Sequence, residues 1–339
     1  MQIRRSDMAV APLLSVRGLS VSYGGAALVE GVELDLMMGK THGLVGESGS
    51  GKSVSAMAIM RLLEPKQFRV EAQRITFDGR ELPSLGTHEM RRVRGAEISM
   101  IFQEPMTALN PVLPVGEQIV ETLRVHQKLD RATARKRALE MLEWVRIPAA
   151  DRRIDEYPHQ LSGGMRQRVM IAIAIACQPK LLIADEPTTA LDVTIQAQIL
   201  ELLHELQREL GMGILLITHD LGVVAGYADN VSVMYAGRII ESGTTSQIFE
   251  HALHPYTQGL LRSHPPVDRD VDELPTIPGT VPQPHERPNG CRFGPRCAHF
   301  RQICDQTDPR LMGFEARHRA ACIRPKDYLF DGPLEVSDG

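Results

Sequence analysis

The segment GESGSGKS, residues 46–53, is the feature that most limits what this 339-residue chain can fold into. It follows a short apolar run at residues 43–45 and precedes the helical segment SVSAMAIMRLL. A strand, a glycine-rich loop and a helix in that order form the context that the phosphate-loop motif G-x-x-x-x-G-K-[ST] requires. The alternative, an ordinary glycine-rich turn, does not account for this context. We therefore predict an α/β fold that binds a nucleotide.

The chemistry of this loop explains its composition. Glycines allow backbone N–H groups to surround phosphates, and the N-terminus of the following helix adds a favourable potential for anions. Lys52 can reach the β and γ phosphates, and the Ser53 hydroxyl can ligate Mg²⁺. We predict that the nucleotide contacts Gly46, Ser48, Gly49, Ser50, Gly51, Lys52, Ser53 and Val54.

A second strand pattern, LLIA at residues 181–184, ends in Asp185 and Glu186. In α/β sheets, ligands lie at the carboxyl ends of the strands. Asp185 can hold Mg²⁺, and Glu186 can polarise an attacking water molecule. Alone, this acidic pair could be a solvated strand end. Together with the phosphate loop, it predicts the second half of a nucleotide-hydrolysing site.

The segment LSGGMRQR opens another predicted helix with Ser162, Gly163 and Gly164. Such a helix N-terminus can bind an anion, although LSGG alone is also compatible with an ordinary helix cap. Because a short helix and the Asp-Glu strand follow it, the segment resembles the LSGGQ signature of the ATP-binding cassette (ABC) ATPases. Met165 stands at the usual glutamine position, and Gln167 follows two residues later.

This resemblance covers residues 12–250 and implies an ABC-type P-loop fold with a RecA-like core, an antiparallel β subdomain and a helical signature subdomain. It implies that Tyr23 stacks on adenine, that Gln103 senses Mg²⁺ and a transmembrane partner, that Asp192 is the D-loop aspartate, and that His219 contacts the γ-phosphate. From the residues alone, each of these side chains could instead be structural or solvated.

The resemblance also implies a mechanism. Two such subunits enclose two ATP molecules, so that the phosphate loop of one chain meets the LSGG segment of the other. Catalysis would depend on Glu186, His219 and Gln103, with Mg²⁺ held by Ser53, Asp185 and Gln103. Beyond the phosphate loop, the predicted nucleotide-binding residues include Ser162, Gly163 and Gly164 of the LSGG segment, together with Gln167 and Asp192.

Two further segments resemble those of one branch of the ABC ATPases. FQEPMTALNPVLPVGEQI, residues 102–119, resembles a segment of the oligopeptide, dipeptide and nickel importer ATPases, in which it receives a coupling helix of the permease. From the residues alone, it could be a turn-rich connector. HPYTQGLLRSHP, residues 254–265, resembles the extension of the peptide-importer ATPases, and a proline-rich connector follows it.

The implied function is the ATPase of a binding-protein-dependent importer of di- or oligopeptides. Its partners would be two integral-membrane permease subunits, a second ABC ATPase that is a related, different chain or a second copy, and a periplasmic substrate-binding protein. It would lie on the cytoplasmic face of the inner membrane. Alternatives are import of nickel, glutathione or another small solute, and a soluble ABC ATPase that does not serve transport.

Composition and segment order support this organisation. The formal net charge of −4 gives no electrostatic footprint for nucleic acid, no apolar run approaches the ~20 residues of a membrane span, and the N-terminus does not resemble a signal peptide. We predict an ATPase domain at residues 1–253, with its helical subdomain at about 104–178, and an extension at 254–339.

The extension holds four of the five cysteines, Cys291, Cys297, Cys304 and Cys322. In a cytosolic protein disulfides are disfavoured, so we predict that these thiols ligate a metal. Zinc sites usually show a tight C-x(2–4)-C pair, which is missing here, whereas iron–sulfur clusters are not tied to one spacing. Zinc is thus the second choice.

The segment GCRFGPRC also resembles the cysteine motif of peptide-importer ATPases, in which some members hold a [4Fe–4S] cluster. Arg292, Arg296 and Arg301 could offset the cluster's charge or form a solvated face, and His299 and His318 are possible substitute ligands. The fifth cysteine, Cys177, lies in an apolar helical segment and is predicted to be a core thiol.

Overall fold

The computed structural model describes residues 11–104, 108–189, 191–263 and 276–323. Its strands are β1 (Leu14–Tyr23), β2 (Ala26–Leu36), β3 (Thr41–Val45), β4 (Phe68–Glu71), β5 (Arg74–Phe77), β6 (Arg80–Glu81), β7 (Ile98–Ile101), β8 (Leu181–Asp185), β9 (Gly213–Thr218), β10 (Asn230–Tyr235), β11 (Arg238–Thr244), β12 (Met312–Glu315) and β13 (His318–Ala320).

The α-helices of the described residues are α1 (Lys52–Ile59), α2 (Thr87–Ala96), α3 (Val115–Gln127), α4 (Arg131–Trp144), α5 (Ala150–Arg153), α6 (Gly163–Ile175), α7 (Val193–Leu210), α8 (Leu221–Tyr227), α9 (Thr245–Glu250), α10 (Pro255–Arg262) and α11 (Gln302–Gln306). Short 3₁₀ turns lie at Leu82–Ser84, Pro158–Gln160, Pro284–Glu286 and Gly294–Arg296.

A mixed sheet organises the molecule, in the strand order β12-β13-β11-β10-β3-β9-β8-β7. The strands from β10 to β7 are parallel, whereas β11 and the two strands beyond it are antiparallel. Strands β3, β8 and β9 are buried along their whole length, as expected for parallel strands covered on both faces. Because these strands run in one direction, the loops after β3, β8 and β9 meet at one edge of the sheet.

A second, antiparallel sheet has the order β2-β1-β5-β6, and β4 also pairs with β1. Its apolar face packs on the main sheet and on α1, with Leu14, Val16 and Ile59 among the buried residues. Another core lies between the main sheet and helices α3, α4, α6 and α7. The predicted RecA-like core, antiparallel β subdomain and helical subdomain are all present in this architecture.

Several helices begin at a residue whose side chain accepts a backbone hydrogen bond. Asp130 caps α4, Ser162 caps α6, Asp192 caps α7 and Asp220 caps α8. Such caps satisfy N–H groups that the helix itself leaves unpaired. Three of the four helices start next to segments that the sequence analysis assigned to nucleotide binding, so capping also fixes the geometry of the candidate site.

The C-terminal extension is joined to the main sheet. Strand β13 pairs with β11, and β12 with β13. Tyr256 and Phe293 of the extension pack with Tyr235 of β10 in a common buried cluster. The predicted boundary between residues 253 and 254 therefore falls within continuous packing, where His254 is 2% exposed.

A buried polar contact adds to this junction. Glu241 of β11 is fully buried, and its carboxylate accepts hydrogen bonds from the backbone N–H groups of Leu253 and His254. It also lies 2.8 Å from Nε2 of His318 in β13. His318 is thus engaged with Glu241 and does not line the cysteine cavity described below.

In the residues described, no helix has both the length and the apolar character that a membrane crossing requires.

Replacing Glu241 should destabilise the protein markedly. In Glu241→Ala, two backbone N–H groups and His318 lose their buried partner, which we expect to cost about 3 kcal/mol or more. Urea unfolding and the thermal midpoint measure this loss. Glu71→Ala is the control, because Glu71 pairs with Arg69 on the exposed surface and should cost less than about 1 kcal/mol. Equal effects of the two changes would contradict the structural role given to Glu241.

Candidate active site

The phosphate loop joins β3 to α1, and its shape depends on glycine at defined positions. At Gly46, φ is 153°, and a Cβ atom would lie 2.1 Å from the carbonyl oxygen of Met234 in β10. Gly49 and Gly51 have φ of 77° and 106°, a region that residues with side chains rarely adopt. A side chain at Gly46 would push the loop off β10, so this glycine sets how close the loop lies to the sheet.

Lys52 crosses the loop that precedes it. Its Nζ donates hydrogen bonds to the carbonyl oxygens of Gly46 at 2.7 Å and Glu47 at 3.0 Å. Burial lowers the pKa of Lys52, while the carboxylates of Glu186, Asp185 and Glu47 act in the opposite direction. The ammonium group is thus held where the loop would receive phosphates, as the motif predicts.

Ser53 and Asp185 form a pair of oxygen ligands at the carboxyl end of β8. The Ser53 hydroxyl donates to Oδ1 of Asp185 at 3.0 Å. Burial raises the pKa of Asp185, an effect that Glu186 strengthens and that Ser53 and Lys52 oppose. A hydroxyl and a carboxylate at this separation fit Mg²⁺, which prefers oxygen ligands.

Glu186 is the centre of a polar cluster. Its Oε2 accepts hydrogen bonds from Nε2 of Gln103 at 3.0 Å and from Oγ1 of Thr189 at 2.9 Å, and Nδ1 of His219 lies 3.4 Å away. The structure thus brings together the three residues predicted to be catalytic, which follow strands β7, β8 and β9. Glu186 also has φ of 46°, a strained conformation of the kind found at functional sites.

Thr189 is the member of this cluster that the sequence analysis missed. It lies three residues after Glu186, and its backbone N–H donates to the Glu186 carbonyl oxygen at 3.2 Å. A hydroxyl residue soon after the acidic pair is the signal that could have identified it. Its position restricts the rotation of the Glu186 side chain.

The signature segment lies where helices α6 and α7 begin. Ser162 accepts a hydrogen bond from the backbone N–H of Met165 at 3.4 Å, and Asp192 accepts one from that of Ile195 at 2.9 Å. A Cβ atom at Gly164 would be 2.8 Å from Cγ2 of Ile195, so this glycine allows the two helix starts to approach each other.

Gln167 and Tyr23 differ in accessibility. Gln167 is only 2% exposed, and its Nε2 has no hydrogen-bond partner among the described residues. It therefore faces the interior of the subunit. Tyr23, at the end of β1, is 49% exposed, and its ring centroid lies 5.0 Å from that of Phe68. An exposed ring of this kind is available for stacking.

The four cysteines of the extension line one cavity, together with His299, Phe293 and Phe300. The backbone N–H of Cys291 donates to the Cys304 carbonyl oxygen at 2.8 Å. Burial raises the pKa of the Cys291 thiol, and it raises that of Cys297 to about 11. Among the described residues, no three or more potential ligands are already arranged to hold a metal ion.

Two arginines of this segment, Arg292 and Arg296, bind carboxylates elsewhere in the chain. Arg292 donates to the carbonyl oxygen of Ala236 at 2.6 Å and pairs with Glu30. Arg296 pairs with Glu47 of the phosphate loop at 3.0 Å. The alternative that these two arginines form a solvated face is therefore wrong, because both side chains are nearly buried and bind carboxylates.

Cys177 is half-buried in the turn after α6, with its sulfur 4.0 Å from the carbonyl oxygen of Thr122. Burial raises the pKa of its thiol to about 11. It is thus a partly buried thiol just after the helix, and the prediction of a buried core thiol is wrong.

Comparisons with known proteins agree with this geometry. A family model described as ABC transporter matches residues 29–189, and one described as Oligopeptide/dipeptide transporter, C-terminal region, matches residues 240–304. The dipeptide transport ATP-binding protein DppD of Escherichia coli (strain K12) is 50% identical over 319 residues, which cover 93% of this chain and 97% of that protein. The protein named DppD in Bacillus subtilis (strain 168) is 54% identical over 301 residues, 88% of this chain and 90% of the relative.

Solved structures share the fold. A dimeric ATP-binding cassette in a post-hydrolysis state, bound to ADP and phosphate, superposes with a TM-score of 0.61 at 27% identity, covering 68% of this chain and 98% of that one. The protein cbiO1 from Clostridium perfringens, part of the ABC transporter complex cbiONQ, has a TM-score of 0.61 at 31% identity, covering 71% and 92% of the two chains.

Replacing Glu186 by glutamine should separate binding from hydrolysis. The amide retains the size of the side chain but cannot polarise water as a carboxylate does, so we expect phosphate release to fall by about 100-fold or more while nucleotide binding persists. Phosphate release and fluorescent-nucleotide titration measure the two quantities. Glu201→Gln, on the exposed face of α7, is the control. Unchanged hydrolysis in Glu186→Gln would contradict the catalytic role.

Proposed function

This chain belongs to the ABC transporter family, and from that premise we propose that it powers the import of di- or oligopeptides across a bacterial inner membrane. It binds ATP with Mg²⁺ and hydrolyses the ATP to ADP and phosphate. The observation that carries the proposal is the combination of the Glu186 cluster with a C-terminal region of the oligopeptide/dipeptide transporter type. Relatives named for dipeptide transport, at 50–54% identity over most of the chain, support the substrate class.

In this proposal, each residue of the site has its own role. Backbone N–H groups of the phosphate loop and the Lys52 ammonium bind the β and γ phosphates. Ser53 and Asp185 would hold Mg²⁺, which neutralises phosphate charge when bound. Glu186 orients and polarises the attacking water molecule, and His219 stabilises the γ-phosphate from the neighbouring strand end. Thr189 holds the Glu186 carboxylate in place.

A complete site needs two subunits in this proposal. The exposed helix start at Ser162 and Gly163 would meet the nucleotide held by the phosphate loop of a second ABC ATPase, a related chain or another copy. The likeness to a dimeric cassette with bound ADP and phosphate supports this arrangement. Gln167 does not take part, because it faces the interior.

Coupling to the permease would pass through residues 102–119. Phe102 and Val112 of this segment are 43% and 75% exposed, and Gln103 beside Phe102 is hydrogen-bonded to Glu186. A permease helix that displaces this segment would therefore move a residue bonded to the catalytic carboxylate. Residues 105–107 of the segment lie outside the described residues.

The proposed partners are two integral-membrane permease subunits and, through them, a periplasmic substrate-binding protein. The protein would lie on the cytoplasmic face of the membrane. We also propose that residues 1–253, with a helical subdomain at about 104–178, form the ATPase unit, and that residues 254–339 form an extension.

Uptake in cells tests the transport function. In a strain that lacks this gene, the wild-type chain should restore uptake of a labelled dipeptide, and Glu186→Gln should not, because hydrolysis drives the transport cycle. Affinity purification of the wild-type chain from detergent extracts should also recover two permease subunits. Glu201→Gln is again the control. Restored uptake of Ni²⁺ but not of peptide, or recovery without permeases, would contradict the proposal.

We further propose that Cys291, Cys297, Cys304 and Cys322 hold a [4Fe–4S] cluster, with zinc as the second choice. The support is that all four thiols line one cavity and that tetrathiolate ligation suits both metals. Because burial raises the pKa of the Cys291 and Cys297 thiols, metal binding, which requires thiolates, would work against this effect and would have to draw the thiols together. The cluster would stabilise the fold of the extension.

The metal content of anaerobically purified protein tests this assignment. We expect about four iron and four sulfide per chain and visible thiolate-to-iron absorbance. Cys297→Ser should lose both because it removes a ligand. Cys177→Ser should retain them because Cys177 lies beside Thr122, outside this cavity. Stoichiometric zinc without iron in the wild-type protein would contradict the cluster.

A further inference from the structure

The cysteine segment touches the phosphate loop directly. Arg296, in the turn Gly294–Arg296, makes a two-pronged ion pair with Glu47, the second residue of the loop. The distances are 3.0 Å from Nη1 to Oε1 and 3.2 Å from Nη2 to Oε2. The Arg296 side chain is only 6% exposed. The Glu47 side chain is 30% exposed. A bidentate contact to a guanidinium as buried as this one restricts both groups more than a surface ion pair does.

Other residues of the extension also hold the Arg296 side chain in place. Its Nε donates to the carbonyl oxygen of Pro278 at 2.8 Å, and its Nη2 donates to that of Ile277 at 3.3 Å. Its guanidinium carbon lies 5.7 Å from the ring centroid of Tyr235. The extension therefore holds the guanidinium in position, and Glu47 binds to a group that is already oriented.

Glu47 transmits this contact to the loop. Its backbone N–H donates to the hydroxyl of the buried Tyr256 in α10 at 3.0 Å. Its carbonyl oxygen accepts hydrogen bonds from Nζ of Lys52 at 3.0 Å and from the backbone N–H of Ser50 at 3.2 Å. The extension thus binds Glu47, the same residue whose carbonyl oxygen accepts a hydrogen bond from Lys52.

The charge of Glu47 gives the contact a second role. A carboxylate within a loop that binds phosphates would repel an anionic nucleotide. Arg296 places a cation on both oxygens of that carboxylate and so neutralises it locally.

We propose that Arg296 is a positioning residue of the ATP site: the extension holds Glu47, and through it keeps the phosphate loop in shape and free of an unbalanced negative charge. Arg296 acts through Glu47 and does not itself contact the reacting atoms. The proposal rests on ATP binding by the phosphate loop and is independent of any metal at the cysteines.

Three variants test this role by titration with a fluorescent ATP analogue and by steady-state hydrolysis. In Arg296→Met the dissociation constant and the KM for ATP should rise on the order of tenfold, equivalent to about 1.4 kcal/mol, with a smaller change in kcat. Arg296→Lys should be intermediate, because an ammonium keeps the charge but cannot form the two-pronged contact. Arg301→Met is the matched control: Arg301 lies in the same segment and donates to the carbonyl oxygen of Phe300.

The double variant Glu47→Gln/Arg296→Met tests the charge-balancing part of this role, because it removes the ion pair and the unbalanced carboxylate together. If the unbalanced carboxylate causes the loss, the double variant should regain most of the ATP affinity, and the single variant should improve at high salt. If Arg296→Met binds ATP as well as the wild type, the proposal is overturned; if the double variant is as impaired as the single one, the charge-balancing role is refuted. A wild-type protein that does not bind ATP would instead refute the proposed function.

Discussion

The close approach of the phosphate loop to strand β10 is the constraint on which the rest of the site depends. A Cβ atom at Gly46 would lie 2.1 Å from the carbonyl oxygen of Met234, so the loop can lie this close only with glycine there. The same loop is tied to the turn after β10, where the backbone N–H of Gly237 donates to the carbonyl oxygen of Ser50 at 2.8 Å. The position of β10 therefore determines where the phosphates would lie.

Strand β10 also connects the site to the C-terminal extension. Tyr235 at its end packs against Tyr256 and Phe293 of the extension, and β11 beside it pairs with β13. In the strand order of the sheet, the extension thus lies on one side of β3 and the strands that precede Gln103, Glu186 and His219 lie on the other. The cysteine cavity and the ion pair between Arg296 and Glu47 are adjacent, because Arg296 directly precedes Cys297. The proposed metal site and the proposed contact with the loop therefore belong to the same short segment.

Much of the fold could be predicted because the motifs carry their own geometry. The phosphate loop needs a strand before it and a helix after it, and the Asp-Glu pair needs a buried strand, so both positions follow from local patterns. That Gln103, Glu186 and His219 lie close together could be predicted from the resemblance to the ABC ATPases. It also follows from the rule that the carboxyl ends of parallel strands meet at one edge of the sheet. Thr189 was missed because its role depends on the side-chain direction of Glu186, which sequence spacing does not specify.

The sequence by itself determined the type of fold, the phosphate loop and the acidic pair, because each depends on contacts between residues that are near in the chain. Tertiary structure decided the rest. Gln167 faces inward because its turn of α6 packs on the core, and His318 binds Glu241, 77 residues away. Arg296 serves Glu47, 249 residues away, rather than the neighbouring thiols. A charged side chain pairs with the opposite charge that the tertiary fold brings near it. A local sequence pattern does not specify which residue that is.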